Sequence, residues 1–256
     1  MKKQILAALA IISVGIIGGC GSSTGNNPTT SISGKVADGY LVGATVFLDK
    51  NNNYQLDVDE PHTTTDSTGA YTLNINPADV GKYPIVALAI KDTTVDMDTR
   101  LPIQKSYVLS MHAVSVNSSA PGIVAGSVSN FISPMSSQLR EMMETGKYAT
   151  MQKAKEDLQV KLGMPAGTDM LADYMAVNSA NNTTMHTAAQ NMASLMGGQM
   201  AQVFVPNGLG TSVDVNRYRG MMGTIFSNIS SIKGANAQPA MANLMNSMTS
   251  ALGTMP

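Results

Sequence analysis

Apolar positions along the chain change their period near residue 134. Before it they alternate or run together in short bursts, and after it they recur every three to four residues. Ile32 to Ala37 and Ala44 to Leu48 read as strands. Ala70 to Ile75 puts Tyr71, Leu73 and Ile75 on one face, as a half-buried strand does. Pro84 to Ile90 is an unbroken apolar run, the pattern of a strand covered on both faces. Ser106 to Met111 is a further strand, and Asp38-Gly39 and Asp66 to Gly69 are turns. Short strands at this spacing predict a small β-sandwich. Beyond 134, Met135, Leu139, Met142 and Met143 make a helical stripe, capped by Ser133 with Pro134 at the first position. Thr150 to Leu162, Ser179 to Val203, Asp214 to Ser231 and Pro239 to Leu252 read as further helices, with a short helical turn at Asp169 to Ala176. Gly197-Gly198 weaken the longest of them by about 1 kcal/mol per Gly relative to Ala; close helix packing or a break would account for them.

The expected fold class is therefore α+β, an N-terminal β-sandwich followed by a C-terminal α-helical domain. The boundaries this implies are a β-sandwich at 32–112, a linker at 113–133 and a Met-rich helical domain at 134–256. Residues 1–20 stand apart. Lys2 and Lys3 precede a short apolar run, Ile5 to Ile17, which ends in Gly18-Gly19-Cys20. This resembles a bacterial lipoprotein signal, with Cys20, the chain's single cysteine, at the lipidated position. Acyl chains on Cys20 would attach the chain to a membrane, and Gly21, not Asp, after the cysteine resembles the sorting signal of outer-membrane lipoproteins, which implies the outer membrane on its periplasmic or its surface face. Residues 21–31, rich in Gly, Ser, Asn and Pro, make a flexible tether.

Between the second strand and the Thr-rich stretch His62 to Thr65 lies the stretch with the clearest chemistry. Asp49, Asn51, Asn53, Gln55, Asp57 and Glu60 fall at positions 1, 3, 5, 7, 9 and 12 of a twelve-residue loop. That is the spacing of an EF-hand calcium loop. Alternate residues of a tightly curled loop point inward, and a hard cation takes six to eight oxygens. Asp49, Asn51 and Asn53 would supply side-chain oxygens, Gln55 its carbonyl, and Asp57 a direct or water-bridged oxygen, with Glu60 closing the shell. Ca2+ is the expected cofactor, in a structural role. Tyr54 stands at position 6, where Gly usually makes the turn. The flanks are strand-like, so a loop between strands is expected and not a helix-loop-helix. Asp96 and Asp98 form a second acidic pair, too few ligands for a calcium shell of their own.

The stretch SGKVADGYLVGATVFLDKNNNYQLDVDEPHTTTDSTGAYTL resembles the calcium-loop β-sandwich modules of bacterial surface proteins. These are related to the B-repeats of staphylococcal serine-aspartate adhesins and to the transthyretin-like carboxypeptidase regulatory fold. Asp38-Gly39, Gly43-Ala44, Leu48-Asp49, Glu60-Pro61, Thr65-Asp66, Gly69 and Tyr71 carry the likeness, and Tyr54 departs from it. Thr94 to Thr99 resembles a tIDxDT segment that follows such modules. Phe131 to Ser137 resembles the iSPlTTLv segment that opens a helical region, and Gln152 to Gly167 the segment after it. The likeness covers roughly 32–175. It implies an Ig-like or transthyretin-like sandwich in a surface or envelope protein with a structural, adhesion or protein-binding role, a protein partner, and no catalytic activity.

Composition narrows the reading. A net charge of −1 gives no basic footprint for nucleic acid. His62, His112 and His186 are scattered, and neither a G-x-S-x-G nor a P-loop is present, so no enzyme is expected. Glu141, Glu144, Glu156 and Asp157 read as solvated charge on helix faces. Seventeen of the twenty methionines follow residue 134. Met192, Met196 and Met200, and Met241, Met245 and Met248, fall on single helix faces, with His186 upstream. Soft thioethers bind Cu(I), so the alternative function is a periplasmic metal-handling protein using these Met-rich helices. The same stripes serve a helical core equally well, because Met is an adaptable apolar residue, or a plastic groove for a partner.

Overall fold

The computed structural model describes residues 28–117, 130–176, 180–207 and 210–255. It is α+β, with strands mostly in the N-terminal part and helices mostly in the C-terminal part. In chain order the strands are β1 (Thr30–Val36), β2 (Leu41–Val42), β3 (Thr45–Leu48), β4 (His62–Thr64), β5 (Ala70–Ile75), β6 (Ile85–Ala89), β7 (Val95–Asp96), β8 (Leu101–Pro102), β9 (Tyr107–Met111) and β10 (Asn130–Ile132). Helices α1 (Pro134–Glu144), α2 (Met151–Leu162) and α3 (Ala180–Val203) follow, then a hairpin of β11 (Phe204–Asn207) and β12 (Gly210–Val213), then α4 (Val215–Ile232) and α5 (Gln238–Gly253).

An antiparallel sheet runs in the order β4-β3-β6-β9. A second has the order β10-β1-β5, with β1 antiparallel to β5 and parallel to β10. In β5, Tyr71, Leu73 and Ile75 are buried while Thr72 and Asn74 face out, as the alternation predicts. Every residue of β9 is buried, because α1 packs on it and α3 reaches it. Buried residues of the strands and of all the helices join in one hydrophobic core.

The sheet's edge explains α1. At the edge of the sheet, β9 has backbone groups with no strand to pair with among the described residues. Ser110 N donates to Ser137 Oγ at 2.8 Å, and Ser136 Oγ donates to Ser110 O at 2.7 Å. From α4, Tyr218 OH donates to Val108 O at 3.0 Å. The serines of α1 thus satisfy the open edge, and residues 134–142 are all buried although five of the nine are polar. Ser133 caps α1 in a capping box with Ser136, and Pro134 fills the first turn.

The structure departs from expectation in several places. Within 113–133, expected as linker, Ala113–Ser115 is a 3-10 turn and Asn130–Ile132 is the strand β10. Asp169 to Ala176 makes isolated turns, not helix. Gly197 and Gly198 leave α3 unbroken, and neighbouring segments pack closely on them: a Cβ on Gly197 would lie 3.2 Å from Lys105 Cβ, and one on Gly198 would meet the terminal atoms of Met245 of α5.

Candidate metal centre

The loop 49–60 joins β3 to β4. It opens on Asp49, which is fully buried, and closes on Glu60, 4% exposed. Its turn is made by two residues at positive φ, Asn52 at 60° and Tyr54 at 62°. Tyr54 thus adopts the left-handed backbone that Gly takes at position 6, at roughly 1–2 kcal/mol for a side chain with a Cβ. What offsets this is the side chain. Tyr54 is fully buried, its ring centroid lies 4.7 Å from that of Tyr218 on α4, and its hydroxyl donates to Glu141 Oε1 on α1.

The predicted ligands are hydrogen-bonded to one another. Asp49 Oδ1 accepts from Asn53 N at 3.0 Å, and Oδ2 accepts from Tyr54 N at 3.3 Å. Asn51 Oδ1 accepts from Asn53 N at 3.2 Å, and Asn53 Oδ1 accepts from Gln55 N at 2.8 Å. The Nδ2 groups of Asn51 and Asn53 both donate to Asp57 Oδ2, at 2.8 and 2.9 Å. Glu60 ties the two ends, accepting from Lys50 N at 2.6 Å and Asp57 N at 3.1 Å. Its carboxyl is pushed up by burial, held down in part by those N–H groups, and pushed up again by Asp49 and Asp57.

In donor chemistry the set fits a hard cation: three carboxylates and two amide oxygens on one curled loop, with Gln55 at the carbonyl position. Among the described residues no three His, Cys, Asp or Glu side chains are gathered closely enough to hold a metal ion by themselves. A calcium shell here needs the amide oxygens as well, and Asn51 and Asn53 now turn their N–H groups toward Asp57. An ion there would call for those amides to rotate so that oxygen faces inward.

Loop and helices meet at Arg140 and Glu141, consecutive residues of α1. Arg140 Nη2 lies 3.0 Å from Asp49 Oδ2 and 3.3 Å from Asn52 Oδ1. Its guanidinium sits 3.9 Å over the Tyr54 ring. Burial works against this charge, but Tyr54, Asp49 and Glu141 outweigh it and push the pKa up. Burial pushes the Glu141 carboxyl up, against the Tyr54 hydroxyl, Arg140 and Arg219. Arg219 Nε lies 3.6 Å from Glu141 Oε2. Glu141 is therefore not solvated charge, as its helix face suggested, but a buried group 2% exposed. Arg140 was legible only as part of α1; its partner lies 91 residues upstream.

The second acidic pair also gains partners. Asp98 Oδ2 lies 2.6 Å from His186 Nε2 and accepts from Gln190 Nε2 at 2.9 Å, both on α3. Asp96 Oδ1 accepts from Asp98 N at 2.8 Å. A Cβ on Gly39 would press on the carboxylates of Asp98 and Asp96. Next to it, Asp38 Oδ2 accepts from Tyr107 OH at 2.8 Å. The Asp38 carboxyl is pushed up to about 7 by burial and by Asp96 and Asp98, against the Tyr107 hydrogen bond.

His186, placed upstream of the Met stripe, thus faces Asp98. Met192, Met196, Met200, Met241 and Met248 are buried in the core, and Met245 packs against it. Cys20 lies outside the described residues, among which no helix is long and apolar enough to cross a membrane. A cavity of about 500 Å³ opens beside the loop, lined by Leu56, Asp57, Ile90, Tyr107 and Phe204 among others. Comparison with protein-family models, curated proteins and solved structures finds no match to the chain.

Proposed function

We propose that the chain is a non-catalytic structural or binding component of the bacterial cell envelope, anchored to the outer membrane through Cys20. Its β part would be an Ig-like or transthyretin-like sandwich stiffened by calcium in the loop 49–60, and its helical part would carry the surface for a protein partner. The observation that carries this reading is the loop itself. Asp49, Asn51, Asn53, Asp57 and Glu60 are drawn together by their own hydrogen bonds, while Tyr54 makes the turn that Gly would make. The sandwich is supported by two sheets, β4-β3-β6-β9 and β10-β1-β5, whose buried residues share a core.

Calcium would bring charge that gathers Asp57 and Glu60 around one point; Asp49, the amide oxygens of Asn51 and Asn53 and the Gln55 carbonyl would complete the shell. Terbium, a calcium mimic, tests this in the folded chain. The chain has no Trp, and Tyr54 in the loop is placed to sensitise the metal's emission. Sensitised emission that calcium displaces, and that Asp57→Ala combined with Glu60→Gln abolishes, is the expected result. Emission that survives both substitutions, or its absence in the wild-type protein, overturns the reading.

A further inference from the structure

We infer that Arg140 is a resident cation for the loop, holding positions 1 and 4 when no ion is bound and lowering the loop's affinity for calcium. The inference rests on the calcium reading above. Its guanidinium touches Asp49 and Asn52 through the single nitrogen Nη2. The pair is sealed from solvent, with side chains 1% and 0% exposed. Nε and Nη1 are buried without a hydrogen-bond partner among the described residues. A guanidinium normally serves as a fork of several N–H donors. Here most of the fork is unused, and what it supplies to the loop is charge.

That charge answers a need. Asp49 is fully buried, and a buried carboxylate without a cation is strongly unfavourable. Either calcium or Arg140 meets the requirement, and Arg140 comes with the fold. The loop is thus able to form without an ion. Two cations beside one carboxylate repel each other. Calcium and the guanidinium therefore weaken one another's hold on Asp49 by the same factor. Because Arg140 belongs to α1, occupancy of the loop is coupled to the seating of that helix.

Thermal melts of wild type, Arg140→Gln and Arg140→Lys, in EGTA and in millimolar calcium, test this, with terbium emission as the check on binding. Arg140→Gln should melt below wild type in EGTA and recover much of the loss in calcium. Its calcium-induced rise in Tm should exceed that of wild type by about 3 °C or more, which is about 1 kcal/mol in a chain of this length. Arg140→Lys keeps the charge and should fall between the two. Equal rises in all three proteins, with terbium still bound, overturn the inference and leave the calcium reading standing. Terbium binding in none of the three overturns both. Should Arg140→Gln fail to fold in either buffer, Arg140→Lys against wild type decides by the same comparison.

Discussion

Tyr54 carries two opposed effects in one side chain. Its backbone is strained at φ 62°, while its ring and hydroxyl fill the space between the loop, Tyr218 and Glu141. Large buried aromatics are worth more than one left-handed residue loses, so Tyr54→Gly should destabilise the chain by about 3 kcal/mol despite relieving the turn. Tyr54→Phe keeps the ring and removes only the donor to a buried carboxyl, and should lose about 1–3 kcal/mol. Urea denaturation of both variants checks the order. Asp38 gives a pH signature. Its carboxyl, raised to about 7, faces Tyr107 from β9, Asp96 and Asp98 from β7 and the turn after it, and Tyr174. His186 and Gln190 of α3 reach it through Asp98. Between its ordinary range near 4 and about 7, the native state holds a proton that the unfolded chain has released. Stability from this group is therefore full below pH 4 and falls as pH rises toward 7. Asp38→Asn removes the ionisation, so it should raise Tm at pH 8 relative to wild type more than at pH 5. An equal effect at both pH values would contradict the assignment.

At the scale of elements, the decisive contact is a helix used to finish a sheet. Ser136 and Ser137 hydrogen-bond Ser110 at the open edge of β9. Ser137→Ala leaves the Ser110 N–H buried and unpaired and should lose about 1–3 kcal/mol. Hydrogen exchange at Ser110 should quicken beyond the overall loss of stability. Periodicity made β1, β3, β5, β6, β9 and all five helices legible, because each carries its own pattern. It could not show β10 or the β11–β12 hairpin, which are three or four residues long and take their identity from a partner; Asn130 pairs with Gly34. For the same reason it read Glu141 as solvated. The side chains that bury it, Tyr54 and Arg219, lie on the loop and on α4. The spacing of the candidate ligands, by contrast, is read directly, because one short segment holds them all.

Across the whole molecule, the candidate ion loop is not a spur on the β part. It sits where β3 and β4 meet α1 and α4, with Asp49 on Arg140 and Tyr54 on both Glu141 and Tyr218. An ion held there would act on the joint between strands and helices as well as on its own loop. The most direct measurement is a thermal melt of residues 21–256, which omit Cys20, first in EGTA and then in millimolar calcium. A ligand that binds only the folded state stabilises it by about 2.7 kcal/mol at a hundredfold excess over Kd. The account predicts a calcium-specific rise in Tm that magnesium does not reproduce and that Asp57→Ala or Glu60→Ala removes. A Tm that is the same with and without calcium would contradict it, and would make 49–60 a polar turn held by its own hydrogen bonds and by Arg140.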